Sequence, residues 1–128
     1  MISGLKRSWH VQGTRQKQTY LGVEDMIQSK CNGVLIKVSE QELEQLIKRE
    51  EYYTMKLLSH DRVIFKYTNF IIDKTDLIYC FYSNSVDKPS LEYPISNKYF
   101  KICIDGCYKY GDVFFKDFFY TTHWKIDK

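Results

Sequence analysis

The chain contains several short segments in which apolar, β-branched and aromatic residues cluster or alternate. Segments of this kind, bounded by polar or turn-forming residues, are typical of β-strands. We predict a loose hairpin around a polar turn within residues 6–21, a buried strand at 31–38 after an Asn-Gly turn signal, a pair of strands at 53–58 and 62–67, and a further strand at 77–82. Together they predict a small, mostly antiparallel sheet or barrel.

A helix is predicted directly after the segment at 31–38. Ser39 and Glu42 have the spacing of a capping box, in which each side chain bonds to the backbone N–H of the other residue. Beyond them the apolar residues recur at positions i, i+3 and i+4, which is the period of one buried helix face. The residues of this face are Leu43, Leu46 and Ile47.

Glu50 stands at the end of that apolar face. It follows Leu43 by seven positions and Leu46 by four, so it continues the buried side of the helix. A carboxylate in such a position is either a functional group or a cost to stability. The alternative interpretation is a surface carboxylate that pairs with a neighbouring lysine or arginine of this charge-rich helix. Periodicity alone leaves both interpretations open.

The pattern becomes helical again from residue 96 onward. Serine, asparagine and both prolines in the segment 83–94 predict a loop before it. A second apolar stripe then predicts core packing by Phe114, Phe115, Phe118 and Phe119. We therefore expect an α+β fold in which a small, mostly antiparallel sheet or barrel carries one inserted helix and is covered by C-terminal helices.

Composition and charge narrow the class of protein. The chain has 128 residues, 44% of them hydrophobic, and 2 prolines, which predicts a single folded domain over residues 1–128. The net charge of +3 is small and the basic residues are dispersed, so we do not expect a nucleic-acid partner. No apolar run approaches the roughly 20 residues of a membrane span, and the start lacks a hydrophobic signal core. We expect a cytoplasmic protein without a membrane partner.

The four cysteines do not match a metal-binding motif. Cys31 and Cys80 lie in strand-like apolar runs, where a free thiol behaves as a small hydrophobic group. Cys103 and Cys107 are one helical turn apart, but no histidine is close enough in sequence to complete a ligand set. We therefore expect reduced thiols and no metal.

Four separated blocks of the sequence, in the same order, resemble the γ-glutamylcyclotransferase family. One block joins Asn-Gly-Val at 32–34 to Val-Ser-Glu-Gln-Glu-Leu at 38–43 and to Leu-Ile-Lys-Arg-Glu, which ends at Glu50. The other blocks are Leu-Lys-Arg-Ser-Trp-His-Val at 5–11, the segment 94–107 that begins Pro-Ile-Ser-Asn-Lys-Tyr, and the tail at 114–124. The resemblance covers nearly the whole chain.

This resemblance implies a γ-glutamylcyclotransferase-like fold and an enzyme that needs no metal and no organic cofactor. Such an enzyme acts on a small-molecule γ-glutamyl amide or peptide, whose own α-amine attacks the γ-carbonyl to form 5-oxoproline and release an amine or amino acid. The family's acid–base glutamate maps onto Glu50, and a tyrosine after it maps onto Tyr53. Tyr82 and Tyr99 are further candidates to hydrogen-bond the substrate or the glutamate. For each tyrosine, packing as an amphipathic wall residue is the alternative interpretation.

Two departures from the family pattern bear on activity. Ile47 stands where the family has an aspartate, and the Tyr-Gly-Ser strand and loop that hold the substrate carboxylate in the family have no counterpart in residues 1–128. We therefore expect the domain to lack the family's first strand and helix, and to have weak or no cyclotransferase activity. The alternatives to an enzyme are a catalytically inactive binding or interaction domain with the same fold, and a truncated gene product.

Overall fold

The strands of the protein form two sheets. The computed structural model describes residues 1–68, 71–87 and 89–124, and within them the strands are β1 (Ile2–Gly13), β2 (Gln18–Cys31), β3 (Tyr53–Leu58), β4 (Ile78–Ser83) and β5 (Thr122–His123). One sheet has the order β2-β1-β5, with β1 antiparallel to β2 and parallel to β5, and the other pairs β3 with β4. With the helices below, this confirms the α+β class, although the strands are divided between two sheets.

The predicted hairpin is present and is longer than the pattern indicated. β1 and β2 pair from Gly13 opposite Gln18 out to Ile2 opposite Cys31. Alternate side chains of a strand point to the same face. Up to the register shift between Trp9 and Val11, the inward face of β1 carries Leu5, Arg7 and Trp9. β1 therefore supplies one wall of the core and places one cationic side chain on it.

The strands predicted at 53–58 and 77–82 are present, and they pair with each other as β3 and β4. The strand predicted at 62–67 is wrong. After β3 a 3₁₀ turn, His60–Arg62, redirects the chain, and the Arg62 side chain donates a hydrogen bond to a carbonyl oxygen of β1 at 3.0 Å. The chain is thereby held against the start of β1 and does not return along β3.

The strand predicted at 31–38 is wrong beyond its first residue. β2 ends at Cys31, where the pairing with β1 stops, and residues 32–39 have no regular secondary structure. A strand needs a hydrogen-bonded neighbour as well as an apolar pattern, and no described strand pairs with this segment. Its apolar side chains are correspondingly exposed, and Ile36 retains 77% of its accessible surface.

Three α-helices lie within the described residues: α1 (Glu40–Arg49), α2 (Asn97–Tyr108) and α3 (Asp112–Thr121). The predicted capping box starts α1, with the Glu42 N–H donating to Ser39 Oγ at 3.2 Å and the Ser39 N–H donating to Glu42 Oε1 at 3.1 Å. On the predicted face Leu43 and Leu46 are half-buried, but Ile47 is 44% exposed. The buried side of α1 is therefore narrower than predicted.

Two apolar clusters hold these elements together. The first joins the two sheets through Leu5, Cys31, Leu58, Ile78 and Tyr82. The second joins α2 to α3 through Cys107, Phe114 and Phe118. The predicted phenylalanine stripe is thus a core feature at Phe114 and Phe118, whereas Phe119 is half-exposed. A cleft remains beside these clusters, where the two sheets meet the end of α1 and the start of α2.

Candidate functional site

The cleft has a volume of about 300 Å³ and draws on elements that are far apart in sequence. Its wall includes Arg7 of β1, residues 21–23 of β2, Glu50 at the end of α1, Tyr53 of β3 and Tyr99 of α2. Ligand pockets typically have volumes of about 300–1,000 Å³. The cleft is therefore of a size for a small molecule, and it contains one acidic and one basic side chain.

Glu50 is the C-cap residue of α1, and its side chain reaches the cleft with 29% of its surface exposed. The adjacent Glu51 is turned outward and pairs with Arg15 at 3.0 Å. Glu50, and not Glu51, therefore lines the cleft together with Tyr53 and Tyr99. A carboxylate at a helix C-terminus is disfavoured by the helix dipole, and the Arg49 guanidinium, 3.4 Å away, offsets part of that cost. Helix stability does not account for a glutamate at this position.

Tyr53 and Tyr99 stand on the wall beside Glu50. The Tyr53 hydroxyl donates to the carbonyl oxygen of Leu21 at 2.8 Å. Burial, together with the nearby charge of Glu50, raises the pKa of Tyr53 far above its usual value. Burial, with the Cys103 thiol beside the hydroxyl, likewise raises the pKa of Tyr99. Both phenols therefore stay protonated at neutral pH and act as hydrogen-bonding groups.

Aromatic neighbours fix the ring of Tyr99. Its centroid lies 4.9 Å from that of Tyr20 and 5.8 Å from that of Trp9, at interplanar angles of 83° and 84°. Edge-to-face contacts of this kind add stability beyond the buried area. The wall is rigid at this point, which suits a residue that orients a ligand.

The structure does not bring Tyr82 to this cleft. Tyr82 is 4% exposed, and its hydroxyl donates to Asp25 Oδ1 at 2.8 Å and accepts from Arg62 Nη1 at 3.3 Å. Burial and the hydrogen bond to Asp25 raise the pKa of Tyr82 to about 12. The predicted set of three tyrosines is therefore reduced to Tyr53 and Tyr99 at the cleft, because the Tyr82 hydroxyl is engaged in a separate polar group.

Arg7 is the cleft residue that the sequence reasoning missed. A signal for it was present, because Arg7 falls between Leu5 and Trp9 on the inward face of a strand with a period of two. The same reasoning applied to the helix had identified Glu50 as a charged residue on an apolar face. Arg7 is 8% exposed, which is rare for an arginine that lacks an acidic partner.

The guanidinium of Arg7 is held by uncharged oxygen atoms. Nη1 donates to the Asn32 carbonyl oxygen at 2.6 Å, and Nε donates to Thr122 Oγ1 at 2.9 Å. Nη2 is within hydrogen-bond distance of Asn32 Oδ1, the Phe118 carbonyl oxygen and Thr121 Oγ1. Three of these partners lie at the C-terminal end of α3, which favours a cation. Burial lowers the pKa of Arg7, but an arginine stays charged in proteins.

A buried histidine supports the wall from behind. His10 lies with Nδ1 2.5 Å from Ser8 Oγ and Nε2 2.6 Å from Ser83 Oγ, and burial lowers its pKa. At Gly22, on the cleft wall, a Cβ atom would come within 2.9 Å of His10 Nε2 and would collide with Ser83 Oγ. Glycine is therefore required there by close approach, and the histidine is a packed, hydrogen-bonded residue.

The described residues contain neither a metal-binding cluster nor a membrane-spanning helix. The four cysteines are free thiols. Over residues 1–68, 71–87 and 89–124, no group of three or more histidine, cysteine, aspartate or glutamate side chains is arranged to hold a metal ion. None of the helices in the same ranges has the length and apolarity needed to cross a bilayer.

Comparison with protein-family models, with curated proteins and with solved structures finds no match to this chain. The class of protein is thus defined here by its α+β fold and by a small cleft with one glutamate, two phenols and one arginine.

Proposed function

We propose that this protein is a γ-glutamylcyclotransferase-like enzyme, which converts a γ-glutamyl amide or peptide to 5-oxoproline and releases an amine or amino acid. The observation that carries the proposal is the meeting of Glu50, Tyr53 and Tyr99 in one cleft, from three different elements. The resemblance implies that Glu50 is the acid–base residue, and the two tyrosines are among the candidates to hydrogen-bond the substrate or the glutamate. The proposal includes a γ-glutamylcyclotransferase-like fold and a cytoplasmic location.

The reaction that this cleft would perform needs one group that moves a proton. The Glu50 carboxylate accepts a proton from the α-ammonium group of the substrate, and the freed amine attacks the γ-carbonyl carbon. The new C–N bond closes the ring and the original amide C–N bond breaks. The attacking nitrogen loses two protons in all, and Glu50 passes them in turn to the leaving nitrogen, which is released as an ammonium group. No water, oxidant or reductant is consumed. General acid–base catalysis of this kind contributes roughly 100- to 10,000-fold to a rate.

The two tyrosines would hold the substrate in a folded conformation. Attack within one molecule is fast only when the amine and the carbonyl carbon are held close and aligned. The Tyr53 hydroxyl is already fixed by Leu21, 2.8 Å away, and the Tyr99 ring is fixed by its aromatic neighbours. Phenols fixed in this way lose little further freedom when a ligand binds.

A second function, a catalytically inactive binding domain, is favoured by one observation. The Glu50 side chain contacts the Arg49 guanidinium at 3.4 Å and keeps 29% of its surface exposed. A carboxylate that is exposed and paired with a cation is an ordinary surface group. On this alternative the cleft binds the γ-glutamyl group without reaction.

Release of 5-oxoproline tests the proposal. The wild-type protein is incubated with γ-glutamyl dipeptides, glutathione and γ-glutamyl amines, and product is measured by chromatography. We expect slow release from at least one compound, because the Tyr-Gly-Ser loop that holds the substrate carboxylate in the family has no counterpart in residues 1–128. We expect that release to fall by roughly 100-fold or more in Glu50→Gln and to be unchanged in the matched control Glu51→Gln. Binding of these compounds without product supports the binding domain instead. Equal activity in wild type and Glu50→Gln contradicts the proposed role of the glutamate.

A further inference from the structure

The positive charge of Arg7 has no acidic partner in the described part of the chain. The ion pairs formed by described residues join Arg15 to Glu51, Arg49 to Glu50, Arg62 to Asp25 and Lys66 to Asp117. Arg7 is in none of them. A buried charge without a counter-charge is costly even when it is hydrogen-bonded. A ligand that supplied the missing negative charge would therefore bind more tightly.

One carboxylate does lie further along the network of Arg7, but it is already compensated. Asp117 Oδ2 accepts from Lys66 Nζ at 2.7 Å and from the Tyr67 hydroxyl at 2.5 Å. The charge of Asp117 raises the pKa of Tyr67 and the charge of Arg7 lowers it, so both charged groups lie close enough to act on Tyr67. Because Lys66 neutralises Asp117, this group leaves the charge of Arg7 uncompensated.

The cleft thus carries two separate charges of opposite sign. Arg7 lines the cleft and is 8% exposed. Glu50, with 29% of its side chain exposed, also lines the cleft and pairs with Arg49 instead of Arg7. Nη1 of Arg7 carries two hydrogens, and it makes one hydrogen bond within the described residues, to Asn32. A donor as well as a charge therefore remains for a ligand.

We infer that Arg7 is the positioning residue for the carboxylate of the ligand, so that the cleft selects the zwitterionic end of an α-amino acid. The carboxylate lies toward Arg7 and the ammonium group toward Glu50. This inference rests on the proposed function for the choice of a γ-glutamyl ligand. Arg7, a core residue, would bind the carboxylate of the ligand. This contact would hold the ligand's amine next to Glu50, its proton acceptor.

Two pairs of ligands isolate the carboxylate. 5-Oxoproline and 2-pyrrolidinone are lactams of the same ring with and without a carboxylate, and L-glutamine and 4-aminobutanamide form the corresponding open-chain pair. Binding is measured by NMR titration of the wild-type protein. An unpaired charge in a partly buried site is expected to favour the carboxylate member of each pair by about tenfold or more. Equal affinity within both pairs, or no binding of either lactam or of L-glutamine, overturns the inference.

Asn32→Asp cancels the charge of Arg7 without removing the arginine. Asn32 Oδ1 accepts from Arg7 Nη2 at 2.8 Å, so the isosteric aspartate keeps that bond and adds a negative charge beside the guanidinium. We expect the preference for the carboxylate ligands to fall to about twofold or less, while the affinity for 2-pyrrolidinone is unchanged. A preference that survives in a folded Asn32→Asp protein overturns the inference.

Thr121 gives a second position for the same test. Asn32 Nδ2 donates to the Phe114 carbonyl oxygen at 2.9 Å, and the aspartate loses that bond, so Asn32→Asp could unfold. Thr121 Oγ1 lies 3.1 Å from Arg7 Nη2, and Thr121→Asp, with Thr121→Asn as the neutral control, then applies the same charge.

These binding measurements do not depend on turnover, so they test the role of Arg7 separately from the proposed function. Loss of turnover with the preference intact contradicts the proposed function alone, and turnover without the preference contradicts the role of Arg7 alone.

Discussion

Two parts of the molecule combine a carboxylate, a tyrosine and an arginine, yet they differ in what remains unsatisfied. Asp25 Oδ1 accepts from the Tyr82 hydroxyl at 2.8 Å and from Arg62 Nη2 at 2.9 Å. The Glu50 side chain has one hydrogen-bond partner within the described residues, Arg49 at 3.4 Å, and the hydroxyl of Tyr53 beside it donates to Leu21. The group at Asp25 is closed on itself, whereas the group at Glu50 borders a cavity.

The difference separates a structural polar group from a candidate site. Arg62 also donates to the carbonyl oxygens of Ser3 and Gly4, so the Asp25 group fastens β1 and β2 to β4 and to the turn after β3. Every member of it has a partner. At the cleft, the Glu50 carboxylate can accept further hydrogen bonds. The positive charge of Arg7 is not paired with an acidic side chain among the described residues. The Asp25 group and the cleft contain the same residue types, and they differ in whether their hydrogen-bonding groups and charges already have partners.

The largest expected effect tests which carboxylate serves activity and which serves stability. Glu50→Gln is expected to lower 5-oxoproline release by roughly 100- to 10,000-fold and to leave the free energy of unfolding unchanged or raised by up to about 0.5 kcal/mol, because it removes a carboxylate from a helix C-terminus. Asp25→Asn is expected to keep the rate per folded molecule and to lower the free energy of unfolding by about 1 kcal/mol. Turnover assays and urea unfolding measure both.

The opposite pattern would break this comparison. If Asp25→Asn lost as much activity as Glu50→Gln at full folding, the Asp25 group would belong to the site. If Glu50→Gln lost more than about 1 kcal/mol of stability, Glu50 would be a structural residue.

A smaller effect is expected from the tyrosines. Tyr53→Phe leaves the Leu21 carbonyl oxygen without its donor at 2.8 Å, and Tyr82→Phe removes the donor to Asp25 at 2.8 Å. Each loss is expected to cost about 1 kcal/mol in the free energy of unfolding. Only Tyr53→Phe is expected to weaken binding of γ-glutamyl ligands as well, by about tenfold. An equal loss of ligand affinity in Tyr82→Phe would return that residue to the site.

Periodicity in the sequence identified side chains that face inward, but it did not identify their neighbours. The helix register predicted Glu50 on the inward side of α1, because the period of a helix is a local property. The run at 31–38 has the composition of a strand, but no described strand pairs with it. Likewise β3 pairs with β4, a choice that depends on where the Arg62 side chain anchors the chain. Which strands pair over a long distance in the chain cannot be inferred from the residues of one short segment.

The same limit explains the errors in the site. Tyr82 was grouped with the cleft tyrosines by residue type, and its bond to Asp25 joins residues 57 positions apart. Arg7 could have been predicted from the two-residue alternation of β1, since a charged residue between Leu5 and Trp9 departs from an apolar face. The absence of an acidic partner for Arg7 could not have been predicted, because its hydrogen-bond partners come from the segment after β2, from α3 and from β5.

The smallest expected effect is the dependence of stability on pH at Asp25. Burial alone would raise the pKa of Asp25, but hydrogen bonds from Tyr82 and Arg62 outweigh it and hold that pKa below its usual value. A carboxyl group with a lowered pKa in the folded state stabilises the protein above its unfolded pKa of about 3.9. This contribution is lost as pH falls through the folded pKa. It is small because the Asp25 side chain is 63% exposed.

The measurement is the difference in free energy of unfolding between wild type and Asp25→Asn, from urea titrations between about pH 7 and pH 2. We expect the difference to be constant from about pH 7 to pH 5 and to decrease below about pH 4. His10, whose pKa is lowered by burial, is present in both proteins, so its titration cancels in the difference. Asp105→Asn, at an exposed position of α2, is the matched control for loss of one negative charge. A difference that stays constant down to pH 2 would mean that Asp25 is held by shape and not by its charge, and the contrast with Glu50 would then rest on the cleft alone.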